Sequence, residues 1–213
     1  MVRKTFILTG LTALMLAGCS KDGDIDSSGG IAITRSACPG VAIPAFTGDV
    51  TLFDPAESRA STAIDVVGTI TNLRSTCATE GEAIVANASF DVVATRTNVA
   101  GARRVDLPYF VTVVQGGRAV ISKRIGSIAL DFADGQRTAQ AKGTATGYVD
   151  KAAATLPLEV QDRLTRKRKA GDADAALDPL ADPDVRTAVQ KASFELLIGF
   201  QLSGPQLQYN ATR

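Results

Sequence analysis

Near the C-terminus, Phe194, Leu196, Ile198, Phe200 and Leu202 alternate strictly with Glu195, Leu197, Gly199 and Gln201. A period of two puts the first set on one face of a strand, and that face needs a second apolar surface to cover it. The same grammar runs through the preceding chain. Residues 63–77 are rich in β-branched side chains, 83–97 follow a Glu80-Gly81-Glu82 turn, and 105–115 contain Tyr109-Phe110-Val111-Thr112-Val113-Val114, the strongest strand signal of all. Gly116-Gly117 offers a hairpin turn with positive φ available, and Asp134-Gly135 reads as another turn. Residues 41–53, broken by Pro44 and Gly48, suit an irregular edge strand. Residues 138–149 form a strand of small side chains suited to close packing or to an edge. This spacing of turns predicts a mainly β fold, an antiparallel β-sandwich of immunoglobulin- or fibronectin-like architecture, with a small barrel as the second choice. The chain has no Trp, the residue that marks true immunoglobulin domains.

Two stretches depart from simple alternation. In 119–132, Ile128, Leu130 and Phe132 share one parity while Ile121 and Ile125 share the other. A one-residue β-bulge near Gly126 would bring both sets to a common face. Residues 150–193 lose the strand pattern altogether, with Leu158 to Leu164 amphipathic, a basic Arg166-Lys167-Arg168-Lys169 cluster, an acidic Ala/Asp/Pro segment and a short helix predicted over 184–192 behind Asp182-Pro183. Because a clear strand follows, this interval is an excursion from one domain covering 38–213, not a second domain. The basic cluster suits a solvated loop or contact with anionic head groups.

Composition removes whole classes of chemistry. With 45% apolar residues the chain can build a core, and with no His it lacks the usual general base and every Ser-His-Asp or Cys-His arrangement. No phosphate-cradling glycine loop and no Gly-x-Ser-x-Gly elbow is present. Strand carboxylates Asp65, Asp91, Asp106 and Asp131 are the remaining candidates for acid-only hydrolysis, yet each follows the outward alternation or a turn, which favours surface placement. Tyr109, Phe110, Phe194, Phe200 and Tyr209 are needed first for the core, with an apolar ligand pocket as the alternative. We therefore expect no catalytic residues, no metal ligands, no cofactor and no enzymatic activity.

The first residues carry an address. Arg3 and Lys4 precede an almost wholly apolar run over 5–16, too short to span a bilayer but built like an export signal. Leu16-Ala17-Gly18-Cys19 follows, with Leu, two small residues and Cys in order. This segment resembles the lipobox of the bacterial lipoprotein class. The resemblance covers only about the first 20 residues. It implies cleavage between Gly18 and Cys19, diacylglycerol on the Cys19 thiol and a fatty acyl group such as palmitate on the new amine. Ser20 stands where an Asp would favour inner-membrane retention under the enteric sorting rule, so the outer membrane is expected, facing the periplasm. Residues 1–18 are then a signal peptide and 19–37 a flexible tether. From Ser20 to Gly30 the polar run would span about 18 Å. Asp22, Asp24 and Asp26 mimic the start of an EF-hand loop, but Ser27 and Ile33 stand where its Gly and closing Glu belong.

Once Cys19 carries lipid, Cys38 and Cys77 are the remaining thiols. An even pair in an oxidising compartment favours a disulfide, and neither lies in a Cys-x-x-Cys redox motif. Loss of residues 1–18 removes two bases and no acid from a balance of 23 Lys+Arg against 22 Asp+Glu, leaving no basic footprint for nucleic acid. The expected role is that of a lipid-anchored accessory or structural module binding an envelope protein partner. The alternative is a periplasmic binding module for an apolar small molecule or lipid. Nothing in the residues specifies an oligomeric state.

Overall fold

A computed structural model describes residues 35–166, 171–173 and 177–212. The strands are β1 (Gly40–Ala42), β2 (Asp49–Phe53), β3 (Ile64–Glu80), β4 (Ala83–Arg96), β5 (Arg103–Gln115), β6 (Ala119–Phe132), β7 (Thr138–Asp150) and β8 (Phe194–Phe200). They form two four-stranded sheets, ordered β1-β8-β5-β6 and β2-β3-β4-β7. Every pairing is antiparallel except β1 with β8. The fold is the expected β-sandwich. Pro44 and Gly48 break residues 41–53 into two edge strands, one in each sheet, so the irregular segment is the crossover between them.

The core lies between the sheets because inward positions alternate on both. Val66 and Ile70 on β3, Phe90 and Val92 on β4, Leu107 and Val113 on β5, Leu130 and Phe132 on β6, and Leu196, Ile198 and Phe200 on β8 are all buried in one cluster. Strand β8 is not an appendage. It lies between β1 and β5, with Gln115 opposite Phe194 and Tyr109 opposite Phe200. Gly116 and Gly117 both take positive φ in the turn joining β5 to β6, which a two-glycine sequence accommodates without steric cost.

The excursion before β8 contains α1 (Lys151–Ala154), α2 (Leu158–Thr165) and α3 (Pro183–Lys191), with a 3₁₀ turn at Pro179–Ala181. Asp182 caps α3 by accepting from the Asp184 and Val185 amides, and Pro183 sits in its first turn, where a missing N–H costs nothing. Leu156, Leu164, Val185 and Ala192 form a small core of their own. Of the basic cluster, only Arg166 falls within the described residues.

Two features differ from the sequence reading. The β-bulge in β6 falls at Ile121, where Val113 pairs with Ser122 and Val114 with Val120, and not at Gly126, which pairs in register with Tyr109. The offset does not turn Ile121 and Ile125 inward. Both remain more than half exposed. Beyond β8, the chain forms α4 (Gly204–Thr212). Its Tyr209 ring meets Phe53 edge-on at 5.1 Å, and the Asn210 side-chain amide donates to the Phe46 and Asp49 carbonyls at 2.8 Å each. Low apolar periodicity hid this helix; its docking onto β2 and the crossover defines it.

The Cys38–Cys77 disulfide is formed, with a Cα–Cα distance of 6.1 Å. Cys77 pairs with Ala86 on β4, whose side chain is buried in the core, so Cys77 projects from the inward side of β3. Cys38 leads into β1 of the opposite sheet. The bridge thus joins the two sheets at an end where both cysteines are exposed.

Two outcomes follow from this architecture. A chain ending at Gln190 loses the four inward side chains of β8, each contributing about 2 kcal/mol through burial, which rivals the whole stability of a domain of this size. Such a chain should lose its strand circular-dichroism signal and be rapidly proteolysed. Reduction of a bridge spanning 39 residues should cost roughly 4 kcal/mol in the chain-entropy model. In urea that moves the unfolding midpoint down by about 2 M.

Candidate functional site

The four strand carboxylates do not converge. Asp65 accepts both Arg103 guanidinium nitrogens at 2.6 and 2.7 Å, and that hydrogen-bonded contact raises the Arg103 pKa above its ordinary value. Asp91 accepts from the Asn72 amide at 2.8 Å. Asp106 and Asp131 flank Arg104, at 3.4 and 3.8 Å, and both side chains stand open to solvent. Each acid is therefore engaged by a polar or cationic side chain, Asp106 and Asp131 at the open surface and Asp65 and Asp91 partly covered. Among the described residues, no group of three or more His, Cys, Asp or Glu side chains is placed to hold a metal ion.

The candidate aromatics divide between core and rim. Phe194 and Phe200 are buried in the inter-sheet core. Tyr109 reaches across the open side of the sandwich. Its ring meets Phe90 edge-on at 5.4 Å, lies where a Gly126 Cβ would come within 2.6 Å, and its hydroxyl donates to the Thr144 carbonyl of β7 at 3.1 Å. Arg124 of β6 likewise donates to the Thr146 carbonyl, with its guanidinium 6.0 Å from the Tyr148 ring centre. Edge carbonyls of β7 are thereby satisfied from β5 and β6 by side chains. This protects one edge and leaves β6 tied beside it.

One buried charge escaped the sequence reading. Arg96 is 1% exposed at the end of β4. Its Nε donates to the Gln136 carbonyl, Nη1 to Gly101, and Nη2 to Val99 and Ala133, each at 2.8 Å. The guanidinium carbon also sits 5.3 Å from the Phe132 ring centre. Four carbonyls from two loops replace the water this cation loses, so Arg96 locks the β4–β5 and β6–β7 connections together. The signal was available in parity, since Val92, Ala94 and Arg96 share the inward face of β4. Arg96→Met would leave these carbonyls without their donor. It should destabilise the protein by about 3 kcal/mol or more, and Arg96→Lys should restore only part because an ammonium lacks the planar fork. Urea unfolding of both variants measures the difference.

The unusual surface is the first half of β6. Inward-parity positions there hold Ser122, Arg124 and Gly126, whereas Ile125 pairs with outward-facing Phe110 and Lys123 with Thr112. Polarity is inverted relative to the second half, where Ile128, Leu130 and Phe132 are buried. Val120, Ile121 and Ile125 are 63%, 53% and 55% exposed. Lys123 Nζ lies 5.4 Å from the Phe110 ring centre. Isolated exposed apolar residues are ordinary, but three β-branched ones within six positions make a patch.

A separate cavity of about 520 Å³ opens in the helical excursion, lined by Leu177, Pro179 and Val185 together with Asp162 and Asp178. Arg163 and Asp182 pair at its wall at 2.9 Å. Among the described residues, no helix is long and apolar enough to cross a membrane. Cys19, Gly18 and the rest of the lipobox, together with the tether acids, lie outside the described residues. No protein family, curated protein or solved structure matches this chain.

Proposed function

We propose that the chain is a bacterial envelope lipoprotein, cleaved between Gly18 and Cys19 and held by lipid on Cys19 at the periplasmic face of the outer membrane. Its sandwich acts there as an accessory module that binds another envelope protein. The observation that carries the reading is Leu16-Ala17-Gly18-Cys19 behind a short basic and apolar leader. A body stapled by Cys38–Cys77 supports export, since structural disulfides persist in oxidising compartments. Two or three acyl chains, at about 0.8 kcal/mol per buried CH₂, suffice for lasting attachment.

Cells fed labelled palmitate should label the wild-type protein and not Cys19→Ser, and the variant should move from the membrane to the soluble fraction. Equal membrane retention without label would overturn the anchor. Crosslinking in native membranes should then recover one envelope protein reproducibly with the wild type. The alternative role, binding of an apolar small molecule, draws support from the cavity beside Leu177, Pro179 and Val185, whose volume suits a small ligand. Native mass spectrometry of the purified body separates the two, because a retained ligand adds mass.

A further inference from the structure

We propose that the β5–β6 hairpin and the first half of β6 form a docking face for an anionic phospholipid surface, built from Arg118, Val120, Ile121, Lys123 and Ile125. The inference rests on the anchor reading for its geometry in the cell, while its chemistry stands on the hairpin itself. Apolar and cationic groups share one hairpin: Val120, Ile121 and Ile125 on β6 are each more than half exposed, Lys123 lies between them on the strand, and Arg118 stands in the turn just before it. From Gly116 to Leu130 the chain contains no acid. Lys191 at the end of α3 lines the same surface depression as Arg118 and Ala119. The acid across the ladder is Glu195, opposite Val114, one strand inward from Val120. A strand that shows water both β-branched apolar groups and cations matches the bilayer interface, where the first enter the head-group layer and the second meet lipid phosphates.

Arg35, near the end of the expected tether, fixes which end of the sandwich that tether leaves. Arg35 donates from Nη2 to the Ala192 carbonyl at 2.6 Å and to Ser193 Oγ at 2.9 Å, and the Ser193 carbonyl accepts from the Gly116 amide at 2.9 Å. The root of the tether is therefore at the same end of the sandwich as the hairpin turn. Arg35 lies sixteen positions after Cys19, and the flexible tether expected from the sequence would span about 22 Å over that stretch. A lipid anchor on this lead holds the hairpin end, rather than the Arg96 end, against the bilayer. Addition of a partner strand to β6 fits less well. Arg124 already crosses from β6 to the Thr146 carbonyl of β7, so a new strand would have to displace that contact.

All secondary structure in the described residues lies between Gly40 and Thr212, so a chain starting at Ser20 retains the whole fold without leader or lipid. Its binding is measured by co-sedimentation with phosphatidylcholine vesicles containing 30% phosphatidylglycerol and with vesicles of phosphatidylcholine alone. Binding to the anionic vesicles and much weaker binding to the neutral ones is expected. Each cation near the surface is worth about a factor of five, so Arg118→Gln/Lys123→Gln should weaken anionic binding about 25-fold. Ile121→Ser/Ile125→Ser should weaken it as well, with circular dichroism unchanged in both variants. No vesicle binding, equal binding to both lipids, or indifference to both double variants overturns the proposal. Self-association that Ile121→Ser/Ile125→Ser abolishes, with vesicles ignored, overturns it in favour of a second copy. Because Cys19 is absent from this assay, palmitate labelling of the full chain reports separately on the anchor.

Discussion

The sandwich depends on a strand that arrives last. Until Phe194–Phe200 is in place, β5 has a partner on one side only and the inward residues of β4 face an incomplete sheet. Insertion of β8 between β1 and β5 covers them with Leu196, Ile198 and Phe200 at once. The pairing is nonlocal, so the ordering of a long intervening segment is offset only when that burial is complete. The described parts of residues 150–193 form short helices with a separate small core. They span the gap without needing a sheet of their own.

The two open sides of the sandwich are closed by different chemistry. At one side, the chain passes from β1 to β2 and the Cys38–Cys77 bridge joins the segment before β1 to β3. At the other, β6 and β7 are connected by side chains, through the Tyr109 hydroxyl and the Arg124 guanidinium reaching β7 carbonyls. The Arg96 cluster secures one end of that side by satisfying carbonyls in both adjoining loops. These polar fasteners free the opposite end of β6 from core duty. That is where the apolar side chains turn outward, and where a surface role becomes compatible with a stable fold.

Much of the fold was legible because period-two alternation and glycine turns are local. The segments expected over 63–77, 83–97, 105–115, 119–132 and 138–149 all formed strands within a few residues of those limits. The helix behind Asp182-Pro183 was visible in its cap, and the pairing of Cys38 with Cys77 was expected from an even count of two thiols, taking Cys19 as lipidated, together with the expectation of export. Of the strand acids, Asp106 and Asp131 stand at the open surface as their alternation implied, while Asp65 is partly covered by its pair with Arg103. Less was legible where a residue acts over distance. Tyr109 looked like any core aromatic, and its bridge to Thr144 depends on Gly126 having no side chain. The offset in β6 was visible as mixed parity, but parity alone could not say which set would meet the opposite sheet.

Sequence by itself determined the strands, their turns and the excursion before the last strand, because each is written in neighbouring residues whose periodicity or charge acts locally. Only the tertiary structure decided that β8 lies inside a sheet, that the disulfide joins two sheets, that Arg96 is buried among carbonyls and that Ile121 and Ile125 stay in water. Those outcomes depend on which surface covers which. Such coverage is settled by packing between segments far apart in the chain, where pattern within a segment carries no information.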